Sequence, residues 1–133
     1  MRNIIAGAAL ALGLATTAAA QDGPIEGTIQ AQIDAFLADD MTAAFDYASP
    51  AIKRVFGSPE RFGAMVETGY PMVYRPSEVR YLDARDFGEG VLQRVMMRDA
   101  DGVPWVLEYQ MIEGAEGWVI NGVQVMRMPE VAA

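Results

Sequence analysis

Apolar residues in this chain keep helical spacing up to about Gly69 and strand spacing after it, and that change of period leaves few folds open. Ile25, Ile29, Ile33, Phe36 and Leu37 share one helical stripe, which predicts an amphipathic helix from Pro24 to about Ala38. Asp39 or Asp40 is expected to cap a second helix, in which Met41, Phe45 and Ala48 share a face. Ser49-Pro50 and Ser58-Pro59 are start signals, each a capping serine followed by proline at the first helical position. Each helix so started is closed by a glycine. Ile52, Val55 and Phe56 lead to Gly57, and Phe62, Met65 and Val66 lead to Gly69.

The segment Tyr70-Pro71-Met72-Val73-Tyr74-Arg75-Pro76 carries two prolines and is expected to be an extended connection. Strand-like runs follow over Glu78 to Asp86, Val91 to Arg98, Val103 to Ile112 and Trp118 to Met128. The segments between them are too short for crossovers, so neighbours must pair antiparallel as a meander. Trp105, Leu107, Tyr109 and Met111 form one face of the third run, with Glu108 and Gln110 on the other. In the fourth, Trp118, Ile120, Met126 and Met128 are set against Asn121 and Arg127. The expected architecture is α+β, with N-terminal helices packed on a curved four-stranded antiparallel meander. Ile33, Phe36, Phe45, Phe62, Leu107, Trp118 and Ile120 are the expected core.

The first twenty residues stand apart. Met1-Arg2-Asn3 supplies an early charge, Ile4 to Leu14 a short apolar run, and Ala18-Ala19-Ala20 a small-residue site before Gln21. These are the three parts of a secretory signal peptide, with cleavage expected between Ala20 and Gln21. The apolar run is shorter than the ~20 residues a membrane span needs, so no anchor is expected after cleavage. Residues 21–133 then form a single domain in the periplasm or outside the cell.

Composition excludes much chemistry. The net charge is −8 and falls further when Arg2 is removed, which argues against nucleic acid and anionic membrane surfaces as partners. The acids are scattered, with Asp39-Asp40 the only adjacent pair, and read as a solvated face. The chain contains neither cysteine nor histidine. Serine and cysteine triads and ordinary zinc sites are thereby ruled out, and a general base would have to be a carboxylate, Lys53 or a tyrosine.

A resemblance emerges from Asp39-Asp40, Ala44-Phe45, Tyr47-Ala48-Ser49-Pro50, Phe56-Gly57, Met65-Val66, Gly69-Tyr70-Pro71, Arg75-Pro76 and Gly117-Trp118-Val119-Ile120-Asn121-Gly122-Val123. At these residues and spacings the chain resembles a family of small exported bacterial proteins classed as a domain of unknown function. That family is in turn similar to the nuclear transport factor 2-like superfamily. The resemblance implies a cone, a curved sheet wrapped around helices with an internal pocket, and brings no activity with it. Many such cones insert a strand between the early helices, and none is legible here.

Several motifs invite sharper readings. Asp99-Ala100-Asp101-Gly102 opens like a calcium loop, but Pro104 and Gln110 fall where a glycine and a bidentate glutamate are needed, so a hairpin turn is expected. Met96-Met97, Met126 and Met128 resemble soft-metal ligands but lack histidine or cysteine partners and read as core filling. No metal or cofactor is expected. A polar set on the strands, Gln93, Arg94, Glu108, Gln110, Asn121 and Gln124, is the candidate lining of a ligand pocket between sheet and helices. Arg94 and Glu108 are expected to pair across neighbouring strands. Tyr70, Tyr74, Arg75 and Tyr81 gather at the helix-to-sheet junction, where they can form a pocket mouth or pack the crossing.

The functional expectation is an exported, non-catalytic binding or interaction module for a small molecule or a protein. The alternative is a small-molecule isomerase or hydro-lyase that opposes a carboxylate to a tyrosine, with Asp46, Tyr47, Asp83 and Tyr109 of the required types. A structural homodimer joined through the sheet is a third possibility.

Overall fold

The structure, a computed structural model, describes residues 23–126. The expected signal peptide with its Ala20–Gln21 junction, and Arg127 and Met128 at the end of the fourth run, lie outside the described residues. Among the described residues, five helices precede four strands: α1 Gly23–Leu37, α2 Met41–Asp46, α3 Pro50–Phe56, α4 Pro59–Gly69, α5 Pro71–Tyr74, then β1 Glu78–Phe87, β2 Gly90–Arg98, β3 Pro104–Gly114 and β4 Gly117–Met126. The strands form one antiparallel sheet in the order β1-β2-β3-β4, so the α+β meander is as expected. The sheet does not close into a barrel, and β1 and β4 are its two edges.

The helix punctuation works through the caps. Asp40 accepts a hydrogen bond from the Ala43 amide, Ser49 from Ile52 and Ser58 from Arg61, so α2, α3 and α4 each have one orphan donor satisfied. Gly57 ends α3 at φ 81, in the left-handed region that glycine enters without penalty. The end of α1 uses a non-glycine instead. Asp39 sits at φ 58, its amide bonds Phe36 O at 3.0 Å, and the Asp40 amide bonds Ala35 O at 2.8 Å. This is the Schellman arrangement with aspartate in the left-handed position.

The segment after Tyr70 departs from expectation. Pro71–Tyr74 is a short helix, α5, and not an extended link. Proline is at home in a first helical turn, and the turn buries Met72 and Val73 against the core. Only at Arg75-Pro76 does the chain become non-helical, leading directly into β1.

The helices cover one face of the sheet. Val95, Met97, Leu107, Tyr109 and Met111 on that face are buried with Ile29, Ile33, Phe36, Phe62 and Val66 from the helices. Phe62 is the hub of the aromatic packing, 5.9 Å from Phe36, 5.4 Å from Phe45 and 5.8 Å from Phe56 between ring centres. Phe45 and Trp118 are only partly buried, at the rim of the core, and Val55 is exposed although its spacing had placed it inward. Short helices leave their ends near solvent, so the stripe of α3 is narrower than the pattern implied.

Two bulges re-aim the edge strands. In β1, Tyr81 pairs with Val95 and Ala84 with Gln93, so two residues of β1 stand opposite Arg94 alone. The buried Gln93 fills this irregularity, its amide donating to Leu82 O at 3.0 Å. In β4 the register jumps at Asn121, with Ile120 opposite Met111 and Gly122 opposite Gln110. The jump inverts the alternation that the sequence implied. Val123 and Val125, and not Met126, continue the core-facing row begun by Trp118 and Ile120.

Candidate functional site

Beneath α3 the helical layer does not close. That helix buries none of its residues fully, because its seven positions offer only Ile52 and Phe56 toward the interior. The result is a half-open cleft of about 300 Å³ between α1, α3, α4, α5 and β4. Phe36, Ile52, Phe56, Phe62, Val66 and Val123 supply most of its wall. The volume lies at the lower end of the ~300–1,000 Å³ range of small-molecule pockets, and the lining is mainly apolar, as in such pockets.

Among the described lining residues, Gln32 and Tyr70 carry polar side-chain groups. Gln32 is 3 % exposed and lies within the inward stripe of α1, three residues after Ile29 and four before Phe36. Its Nε2 donates to Ala44 O at 3.1 Å, a bond that ties α1 to α2. At the rim, the Tyr70 hydroxyl reaches Val123 O at 3.4 Å. The sequence pattern did not single out Gln32 as a site residue. The signal was present nonetheless, as a polar residue inside an apolar helical stripe.

The expected polar lining lies elsewhere. Arg94 and Glu108 are partners across β2 and β3, as anticipated, but they point to the sheet face away from the helices. The alternation that buries Leu107 and Tyr109 under the helices forces Glu108 outward. Arg94, Glu108 and Gln110 therefore do not surround the cavity between sheet and helices, and that placement is corrected. On the outer face, Glu108 Oε2 lies 3.5 Å from both Arg94 Nε and Arg85 Nη1. Its side chain is only 9 % exposed, because these long neighbours fold over it. Glu108, Gln110, Arg85, Phe87, Leu92 and Gln124 line a shallow groove of about 450 Å³ on this face. Asn121 is separate again, at the β4 bulge, where it accepts a hydrogen bond from Ser49 Oγ at 2.7 Å.

Tyr74 and Arg75 form a clamp on the end of α1. Arg75 Nη1 donates to Phe36 O at 2.6 Å and Nη2 to Asp39 Oδ1 at 2.5 Å, while its guanidinium carbon stands 4.2 Å from the centre of the Tyr74 ring. The hydrogen bond to Asp39 raises the pKa of Arg75, against a partial opposing effect of desolvation. Tyr81 donates to Gln30 Oε1 at 2.8 Å, and burial, with the charges of Glu26 and Asp34, raises its pKa. Tyr109 is wholly buried, which likewise raises its pKa, and its hydroxyl has no hydrogen-bond partner among the described residues. Both phenols stay protonated across the physiological range.

Of the residues named for carboxylate–tyrosine catalysis, Asp46 and Tyr47 share one groove, and Asp83 and Tyr109 lie apart from it. Asp46 and Tyr47 border an open groove of about 450 Å³ with Lys53, Glu116 and Trp118. Asp83 is exposed in the β1 bulge and Tyr109 is in the core. Asp99 spends its carboxylate on its own hairpin, accepting from the amides of Asp101 and Val103 at 2.9 Å each and from Trp105 Nε1 at 3.1 Å. The hairpin-turn reading of that motif therefore holds.

No curated protein and no solved structure matches the chain significantly. A family model does match, over residues 18–133, and the chain belongs to the family described as Domain of unknown function (DUF4864).

Proposed function

We propose that this protein is an exported binding module, without catalysis, whose small-molecule ligand occupies the cleft beneath α3. The observation that carries the reading is the cleft itself: about 300 Å³, bounded mainly by aromatic and branched side chains, with no carboxylate among the described residues that line it. A carboxylate–tyrosine isomerase or hydro-lyase would need its base on that wall. Helices on one side of an antiparallel meander, with an apolar cleft between the layers, also support kinship with the nuclear transport factor 2-like cones. The basic, apolar and small-residue segments of residues 1–20 support export to the periplasm or beyond.

Native mass spectrometry of the protein recovered from the exported fraction tests both parts. The expected species begins at Gln21 and carries a non-covalent adduct that is lost when Val123→Trp fills the cleft. A species retaining residues 1–20 contradicts export, and an adduct-free wild type contradicts the binding reading.

A second reading rests on the outer sheet face, where a buried carboxylate lies between two arginines beside partly buried Met96, Val106 and Met126. Such a surface also suits a protein partner or a second copy of this chain. Sedimentation at increasing protein concentration distinguishes a self-associating protein from a monomer.

A further inference from the structure

The cleft reading leaves the chemistry of the occupant open, and Gln32 narrows it. The bond from Nε2 to Ala44 O at 3.1 Å fixes the orientation of the side-chain amide, since only its NH2 end can donate to a carbonyl. The carbonyl oxygen Oε1 is therefore the free end. It accepts no hydrogen bond among the described residues, although Gln32 is 3 % exposed and forms part of the cleft wall. It is not among the buried atoms left without a partner, so it meets solvent, and the cleft that Gln32 lines is where a ligand displacing that water would have to supply a donor.

From this we propose, resting on the binding reading above, that the cleft selects a neutral, mainly apolar molecule with a single hydrogen-bond donor, a hydroxyl or N–H, directed at Gln32 Oε1. The apolar body follows from the wall formed by Phe36, Phe56, Phe62 and Val66. Neutrality follows from the same wall. Among the described residues it offers no carboxylate to pair an ammonium, and an anion would meet the Gln32 oxygen with repulsion. A ligand with acceptors alone would strip water from Oε1 and return nothing. The volume suits a molecule of one or two rings.

The test uses naphthalene and 2-naphthol, which share an apolar body and differ by one hydroxyl. Their affinities are measured by fluorescence for wild type and for Gln32→Met, which keeps the length of the side chain without its acceptor. Because hydration of the two probes cancels in the ratio of ratios, the comparison isolates the Gln32 contact. The preference for 2-naphthol over naphthalene is expected to be about 3–10-fold greater in wild type than in the variant. Equal ratios in the two proteins overturn the assignment of Gln32 but leave the cleft reading intact. Failure of both probes to bind wild type overturns both. If Gln32→Met does not fold, a crystal structure of wild type with 2-naphthol decides. The hydroxyl within hydrogen-bond distance of Gln32 Oε1 supports the proposal, and a hydroxyl turned away from it overturns it.

Discussion

Ser49 Oγ donates to Asn121 Oδ1 at 2.7 Å while accepting from the Ile52 amide at 3.2 Å, so one hydroxyl both starts α3 and fastens it to the bulge of β4. Backbone bonds flank this contact: the Ser49 amide reaches Ile120 O and the Ile120 amide reaches Tyr47 O, each at 2.8 Å. Ala48 thereby makes a parallel bridge to Ile120 on the edge of the sheet. The joint sets the position of α3, and with it one wall of the cleft.

Replacing Ser49 with alanine removes the cap and strands the Asn121 oxygen. The expected loss is about 1–3 kcal/mol, from a cap worth ~1 kcal/mol plus an unpaired, partly buried acceptor. Urea unfolding of Ser49→Ala, Asn121→Ala and the double variant should give a coupling of roughly 0.5–1.5 kcal/mol. Strict additivity would show that the two side chains act independently.

Phe62→Ala empties the centre of the aromatic cluster. Phe62 is 6 % exposed and packs against Phe36, Phe45 and Phe56, so the expected cost is ~3–5 kcal/mol. Phe45→Ala, at the rim, should cost distinctly less. Thermal melts that rank the two variants in the reverse order would refute this description of the core.

At Asp39 two effects oppose each other. Asp39→Ala keeps the left-handed backbone strain and loses the Arg75 ion pair. Asp39→Gly loses the same pair but relieves the strain. The pair is exposed, 38 % and 69 % for its two side chains, and such pairs are worth only about 0–1 kcal/mol. Relief of a left-handed residue is worth about 1–2 kcal/mol. Asp39→Gly should therefore melt close to wild type, and Asp39→Ala clearly below both.

The Asp99 carboxyl is held below its usual pKa, first by Trp105 Nε1 and then by the backbone amide of Val103. A carboxyl with a depressed folded-state pKa contributes stability above its unfolded pKa and loses it as pH falls through the folded value. Asp99→Asn should therefore be less stable than wild type near neutral pH, with the gap closing in the acid range below the ordinary carboxylate pKa. A gap unchanged down to that range would mean that the charge on Asp99 contributes nothing.

Much of this architecture was legible because it rests on local chemistry. Ser49-Pro50, Ser58-Pro59 and Gly57 act within a few residues of themselves, and short hairpins leave antiparallel pairing as the only option. Even the Arg94–Glu108 register followed from alternation along β2 and β3, where no bulge intervenes. Local rules also misled at Pro71, since a proline that breaks a helix interior also suits a first turn, and the decision lay with the burial of Met72 and Val73.

The sequence alone determined the order of elements apart from α5, the side-chain caps of α2, α3 and α4, the antiparallel meander and the absence of histidine and cysteine chemistry. Only the tertiary structure decided which sheet face the helices cover, and so whether Glu108 meets a cavity or the outside. Alternation along a strand separates its two faces but carries no label for inside. The bulge at Asn121 exchanges those faces within one strand, because a single extra residue shifts a period of two by half. Gln32 entered the cleft for the same reason of assembly. Its neighbours in space, from Ala44 to Val66 and Val123, come from elements that no local pattern brings together.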